Sequence, residues 1–508
     1  MSDPPALSAS PTPPVAPAPG AATAALDQAA IRGIIAGLML AMFLSALEQT
    51  IVAPALAAIG KSLGAIENLS WVVTAYLLAT TVATPLFGKL SDIYGRRAMM
   101  LIAVAIFLLG SLACALAPTM GALILARALQ GFGGGGILPL AQTVIADILS
   151  PRERPIFQSY SSVMFMTASV AGPLLGGALT DYVHWSLIFW INLPLGAVAL
   201  VMTDRALKRI PRNDRPHRLD APGAALMVAA ALALLLALSW GGVRFPWNSA
   251  VILGLLAASA VLWALFAWRL ARAPEPFIPL TILREPVIAI MVTAGFFSIG
   301  TIIGLSIAVP LYLQMVLGQS ASGSGIALIF FVVGTSIGSL ASGRLIARLT
   351  HYKRVPLIGL PVAIAALAVL AAWPAGWSLA GVSAVLFVHG IGIGVMYPLT
   401  TVVIQNAVAP HQLGIATGTL NFFRQLGGAI IVAVFAAIVL GGGGVLSADD
   451  LMRHGGAGAG VAMAGAAGAE DAFRWVFIAA ALFLFAALVA ILLIEERPLR
   501  GPATQVKA

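Results

Sequence analysis

Residues 88–97 read GKLSDIYGRR, a short charged stretch between two apolar runs, 71–87 and 98–117. Each run is long enough to cross a bilayer as a helix. A link this short leaves little room for a turn, so Gly88 and Gly95 are read as the places where the backbone bends. Asp92 stands among Lys89, Arg96 and Arg97. A carboxylate in that setting pairs with a cation or caps a helix N-terminus. A loop that merely carries positive charge on the cytoplasmic face explains the basic residues. It does not explain the order G-x-L-x-D-x-x-G-R-R.

The rest of the chain has the same apolar character. Of 508 residues 60% are hydrophobic and 9% charged, with a mean hydropathy of +1.00. No soluble domain hides that much apolar surface, so most of the solvent is lipid. The net charge of +9 suggests nucleic acid in a soluble protein. Here the basic residues lie in short loops, which points to membrane orientation and away from a nucleic-acid partner. Cys114 is the single cysteine, which excludes an internal disulfide and a thiolate metal cluster. There is no phosphate-cradling glycine loop with its lysine and no helical H-E-x-x-H, so neither ATP nor a metal or other cofactor is expected. Residues 1–30 are rich in Pro and Ala and read as a disordered cytoplasmic N-terminus. No basic segment precedes an apolar core there, so the first membrane helix is expected to act as an uncleaved signal.

Fourteen stretches meet the length and hydropathy of a membrane helix: 34–57, 70–88, 98–117, 120–147, 156–179, 186–203, 221–240, 248–269, 287–313, 322–343, 355–373, 379–404, 413–440 and 472–494. With the N-terminus inside, 22 of the 28 Lys and Arg fall on the cytoplasmic side and 4 outside, namely Lys61, Arg244, Arg453 and Arg474. That bias places both termini in the cytoplasm of a plasma (inner) membrane protein. The chain also repeats itself. Gly131, Gly133, Gly135, Pro139, Leu140 and Pro151 recur as Gly390, Gly392, Gly394, Pro398, Leu399 and Pro410, all at an offset of 259. Six matches in register mark an internal repeat that equates the fourth helix with the twelfth. A fainter echo sets Gly88-Lys89-Leu90 against Gly343-Arg344-Leu345, where Ala347 replaces the aspartate. The expected organisation is an N-terminal six-helix bundle (31–203), linkers with two extra helices (204–286), a C-terminal six-helix bundle (287–494) and a cytoplasmic tail (495–508).

Three charged residues lie deep in helices: Glu48, Arg127 and Arg424. Glu48 sits near the middle of the first, and a charged carboxylate there costs about 2.5–3.5 kcal/mol on insertion scales. Protonation relieves that cost, which is the property proton coupling needs. The plain alternative is a structural acid held by a hydrogen bond or an arginine. Arg127 lies in the fourth helix and must face a polar interior. Its repeat partner is Leu386, so the first half departs from an apolar pattern, an asymmetry that argues for function over scaffold. A static Glu48–Arg127 pair is compatible with that reading. His389 in the twelfth helix is a further titratable group, read first as a hydrogen-bonded structural histidine and second as a coupling residue.

The 88–97 stretch closely resembles the signature loop of the major facilitator superfamily, in which that loop latches the two halves of a transporter on the cytoplasmic side. The resemblance gives Gly88, Asp92, Gly95, Arg96 and Arg97 that role. The string LEQTIVAPAL resembles the first-helix motif of the fourteen-helix drug:proton antiporters, the EmrB/QacA-type family, with Glu48 for its aspartate, Ala53 for its asparagine and Ala57 for its final proline. R-x-x-Q-G-x-G-G at Arg127 matches the superfamily's fourth-helix motif, whose arginine is implicated in proton transfer. Gly172-Pro173-Leu174-Leu175-Gly176-Gly177 resembles the fifth-helix antiporter motif; read without that likeness it is a close-packing face. Trp185 to Gly196 resembles the sixth-helix start W-R-W-I-F-x-I-N-x-P-x-G, with Ser186 for arginine. Arg424-Gln425-Leu426-Gly427-Gly428 matches the thirteenth helix.

The resemblance implies an all-α membrane protein of the major facilitator fold, two six-helix bundles plus two additional helices. It implies a proton-coupled exporter of amphipathic drugs or toxic small molecules working by alternating access, and no enzyme. Gln49, Thr50, Tyr397, Gln405, Asn421, Arg424 and Gln425 are its candidate cavity residues; Asn421, Arg424 and Gln425 also suit interhelical hydrogen bonds, and Asn406 is a neighbour. A dedicated exporter of one endogenous metabolite fits the same residues. An intramembrane enzyme lacks its nucleophile and base, and a channel or receptor lacks a charge ring or filter. Whether a periplasmic adaptor takes part is left open by the sequence.

Overall fold

The computed structural model of the protein describes residues 28–64, 68–208, 219–242, 244–349, 351–441 and 466–499. Within them lie fourteen helices long and apolar enough to cross a membrane. They are α1 (Gln28–Ile51), α2 (Ser70–Tyr94), α3 (Arg96–Ala115), α4 (Met120–Ile148), α5 (Arg154–Tyr182), α6 (Asn192–Leu207), α7 (Ala221–Trp240), α8 (Ala250–Arg272), α9 (Pro286–Met315), α10 (Ala321–Arg348), α11 (Arg354–Ala372), α12 (Leu379–Gly394, resumed as Met396–Ala407), α13 (Leu413–Gly441) and α14 (Ala466–Leu493). Every span expected from hydropathy is present. The first runs past α1 through a 3-10 turn, Ala53–Ala55, and a short helix, Leu56–Leu63, because Pro54 cannot continue an α-helix. Hydroxyl side chains cap several starts: Thr119 accepts from the Ala122 amide, Ser320 from Gly323 and Ser378 from Gly381. Among the described residues the one β interaction is an isolated bridge, Gly241 to Phe245. The expected disordered 1–27, most of the basic linker (209–218) and Arg453 lie outside the described residues.

The repeated glycines explain how the helices approach. A methyl group on Gly131 or Gly135 meets the α2 backbone at Tyr76 or Thr80; one on Gly133 meets α3 at Phe107 and Ala103. In α12, Gly390 and Gly394 receive α10 at Phe331, Thr335 and Ser339, and Gly392 receives α11 at Gly359 and Ala363. The same three positions thus seat the same two neighbours in both copies. Small residues let backbones pack where lipid offers no hydrophobic drive. Buried apolar clusters run through α1–α6, and a larger one runs almost wholly through α9–α14 with parts of α7 and α8.

Two seams join the halves. α2 packs along α13, and α5 along α10. Gly88 on α2 touches Gly414 on α13, where an added methyl falls 2.5 Å from the Gly414 carbonyl oxygen. Gly343 on α10 touches Pro155 on α5 in the same way, again at 2.5 Å from a carbonyl oxygen. Pro155 and Gly414 are themselves 259 apart. α7 and α8 pack on each other, and α7 lies against α2 and α13. Asp220 anchors this hairpin: it caps α7 at the Gly223 amide (3.1 Å) and pairs with Arg269 of α8 (3.1 Å).

One expectation for residues 88–97 is corrected here. Gly88 is not at a bend; it lies within α2, and its small size serves the contact with Gly414. The link between α2 and α3 shrinks to Gly95 alone, at φ 91°. That left-handed region suits glycine and strains other residues.

Candidate functional site

The deepest polar cluster forms around Glu48 in α1, which is fully enclosed, with 0% exposure. Its Oε1 accepts from Arg127 of α4 in a salt bridge. Its Oε2 accepts from the Asn192 side-chain amide at the start of α6, at 2.5 Å. Asn192 also donates to Ser111 Oγ of α3 at 2.9 Å. Gln130 donates to the same hydroxyl at 3.2 Å, and Ser111 donates onward to the Phe189 carbonyl at 2.9 Å. Residues of α4 and α6 therefore bind the carboxylate directly, and Ser111 of α3 closes the network behind them.

Arg127 has acceptors besides Glu48. Its Nε donates to the Val72 carbonyl at 2.9 Å and its Nη1 to Gln130 Oε1 at 2.7 Å. Its guanidinium also lies over the Tyr76 ring, 4.4 Å from the centroid, and nearer the edge of reach of Phe189 at 5.7 Å. The cation thus keeps a carbonyl, an amide oxygen and aromatic faces when Glu48 is neutral.

A second cluster joins the halves. The Asp92 carboxylate on α2 accepts from the backbone amides of Gly414 (3.0 Å) and Ile415 (2.8 Å) at the start of α13. It also pairs with Arg96 at 2.5 Å. It does both things its sequence setting allows: it binds a cation and caps a helix N-terminus, 322 residues away in the chain. Arg96 bridges further to Ser91 Oγ (2.7 Å) and Asp147 (2.9 Å) at the end of α4. Arg97 points elsewhere, pairing with Asp204 of α6 at 2.5 Å. Sequence singled out Glu48 as the carboxylate near the middle of a helix. The structure adds Asp92 and Asp220, whose side chains are 4% and 1% exposed, because tertiary packing covers helix ends that look solvent-facing in sequence.

A third cluster lies between the halves, and its centre, Gln142 of α4, was not singled out by sequence. Its amide donates to Tyr397 Oη (3.3 Å) and accepts from Asn421 (2.7 Å), while its backbone carbonyl accepts from Gln405 (3.2 Å) and Gln158 (3.3 Å). Arg424 is buried and binds Thr400 (2.5 Å), Thr401 (2.9 Å), the Tyr397 carbonyl (3.0 Å) and Asn421 (3.2 Å), so it staples α13 to α12. Gln425 is half-buried. Ser162 of α5 donates to Ser339 of α10 at 2.8 Å, and Ser336 to the Ser162 carbonyl at 3.1 Å. Every one of these bonds between α1–α6 and α9–α14 lies toward the α2–α3 end of the helices.

The remaining candidates are dispersed. Thr50 donates to the Ala168 carbonyl at 2.8 Å, tying α1 to α5, and Gln49 donates back to Ser45 of its own helix at 3.3 Å. Gly172 and Gly176 of α5 meet Thr50 and Ile51 where α1 breaks, whereas Pro173 is exposed and nothing lies within 4 Å of a methyl on Gly177. His389 stacks on Phe331 with centroids 5.6 Å apart, and its Nδ1 meets the Ala363 carbonyl at 3.0 Å. No hydrogen bond among the described residues joins it to the Glu48 cluster. No group of three or more metal-binding side chains occurs among the described residues.

Comparison with known proteins follows the same outline. The family model of the Major Facilitator Superfamily matches residues 38–432. An uncharacterised MFS-type transporter of Mycobacterium tuberculosis is 36% identical over 405 residues, which cover 80% of this chain and 59% of that protein. The chain therefore spans less than two thirds of that relative. The multidrug transporter protein MdtP of Bacillus subtilis is 32% identical over 421 residues, 83% of this chain and 77% of the relative. Among solved structures, the human organic anion transporter MFSD10 (TETRAN) superposes with a TM-score of 0.63 at 18% identity, covering 89% of this chain and 99% of that one. At that identity the likeness is one of fold.

Proposed function

The chain belongs to the Major Facilitator Superfamily, and we propose that it is a proton-coupled exporter of amphipathic small molecules, drugs or toxic compounds among them. The observation that carries this reading is the enclosed Glu48–Arg127 pair, in which the arginine holds alternative acceptors that serve it once Glu48 takes a proton. Relatives named as multidrug transporters favour the drug-export form over export of one metabolite. In this reading α1–α6 and α9–α14 are the rocking bundles, with α7 and α8 lying beside the α2/α13 seam. On the same reading the membrane is the plasma membrane and the α2–α3 end, with both termini, is cytoplasmic, which the excess of Lys and Arg supports. The hydrogen bonds between the bundles then hold that end closed. The Asp92 cap and the Gln142 cluster are its cytoplasmic lock. A proton reaching Glu48 from outside is exchanged for a compound leaving the cell.

The test is efflux of a fluorescent amphipathic cation from proteoliposomes under an imposed pH gradient. Accumulation against the compound's own gradient, abolished by an uncoupler, is the expected result. Movement that only follows the compound's gradient sinks the coupling; no movement of any compound sinks the export.

A further inference from the structure

We propose that Asn192 is the residue that reads the protonation state of Glu48, by turning its side-chain amide over when the proton arrives at Oε2. The inference rests on the proton-coupled reading of that site. The two oxygens of Glu48 face different donors. Oε1 faces Arg127, which has no acceptor to offer and is held in place by the Val72 carbonyl. A proton on Oε1 sets O–H against N–H with no relief. Oε2 faces the Asn192 amide nitrogen at 2.5 Å, and asparagine carries an acceptor on its other side. That acceptor, Oδ1, is buried and has no hydrogen-bond partner among the described residues. An unpaired buried oxygen is unfavourable and marks a group awaiting a donor.

Rotating the amide brings Oδ1 to the protonated Oε2 and to Ser111 Oγ. The Ser111 hydroxyl, which now donates to the Phe189 carbonyl, turns to Oδ1, while Gln130 continues to donate to Ser111. The turn puts Nδ2 in the unpaired place of Oδ1 and releases the Phe189 carbonyl from Ser111; in exchange the new O–H of Glu48 gains an acceptor. The only covalent bond made is O–H at Oε2; the bond broken is an O–H of a hydronium ion from the outer aqueous phase, which leaves as water. Because Asn192 opens α6 and Ser111 sits on α3, the charge of a residue on α1 is carried to two further helices. The other titratable or charged groups facing Glu48 are Arg127 on α4, Tyr76 on α2 and Cys114 on α3. None of them offers an acceptor to Oε2 in the described contacts.

The readout is infrared difference titration of the Glu48 carboxyl in purified protein, assigned by its loss in Glu48→Gln, alongside the pH profile of efflux. Asn192→Leu removes the donor to the ionised oxygen, so the midpoint of Glu48 protonation is expected to rise by about one to two pH units. Asn192→Asp is isosteric and sets a second carboxylate against Oε2; it is expected to raise the midpoint further. Ser111→Ala removes only the relay hydroxyl and is expected to produce a smaller rise. Unchanged midpoints in the folded Asn192→Asp and Ser111→Ala proteins overturn the proposal, even if efflux falls. Shifted midpoints in a protein whose efflux ignores the pH gradient uphold Asn192 as reader and overturn the coupling instead.

Discussion

Glu48 and Arg127 are matched so that each tolerates the other's change. In Glu48→Gln the carboxylate charge is lost while the shape remains, and one oxygen still accepts from Arg127. The Arg127 cation retains the Val72 carbonyl, Gln130 and the Tyr76 ring. The variant is expected to fold, and efflux driven by a pH gradient to fall to background; full gradient-driven efflux in proteoliposomes removes Glu48 from the mechanism. Glu48→Asp is expected to keep part of the activity, because the acid survives with a shorter reach. Arg127→Ala is the harsher change. A buried charge stripped of its partner costs about 3–5 kcal/mol, a cost Glu48 escapes by keeping its proton. That variant is therefore expected to fold with Glu48 locked neutral and to lose coupling, seen as a carboxyl that no longer titrates. Both residues were legible in the sequence because charge inside a membrane helix is rare. Gln130 and Asn192 fell inside the quoted motifs without a role and Ser111 outside them, since neutral polar residues recur throughout these helices and only the fold shows which ones meet.

At the scale of helices, contacts are made by glycines and by one cap. Asp92 closes two of the free amides that every helix start presents, and its partner helix lies 322 residues on. The aspartate's dual capacity was readable from its neighbours, but the helix it caps was not, because nothing local names a contact at that separation. Asp92→Asn accepts at one position and turns N–H toward the other amide. The closed arrangement is expected to lose about 1–2 kcal/mol, a shift of roughly tenfold toward the open form. Transport is expected to drop while size-exclusion profiles in detergent stay unchanged; a well-expressed variant with wild-type efflux removes the latch. Gly135→Ala puts a methyl 2.9 Å from the Thr80 Cα and 3.0 Å from the Ala83 Cβ, crowding that costs about 1–3 kcal/mol. Gly177→Ala meets nothing within 4 Å. The first is expected to lower the melting temperature in detergent and the second to leave it unchanged. That contrast was invisible in sequence, where Gly135 belongs to the repeat and Gly177 to the fifth-helix motif, and neither pattern says which glycine faces a neighbouring backbone.

Over the whole molecule, the repeat at an offset of 259 shows as two sets of three glycines that seat equivalent neighbours, while the two seams carry matching glycine contacts at Gly88 and Gly343, which are 255 apart. The copies differ where chemistry enters. Asp92 faces α13, whereas its counterpart Ala347 has no carboxylate, and α7 lies against the first seam alone. The α5/α10 seam relies on Ser162, Ser336 and Ser339. If the bundles alternate, that serine seam must separate in every cycle. Replacing Ser162 and Ser339 by cysteine puts two thiols where hydroxyls now meet at 2.8 Å. Cys114 is buried elsewhere and does not compete. Oxidation is expected to cross-link the pair in the resting protein and to stop efflux, with activity returning on reduction. Either single cysteine is expected to transport normally under oxidant. Quantitative cross-linking with undiminished efflux contradicts alternating access through this seam. Failure to cross-link in a folded protein means that the serines do not rest in contact.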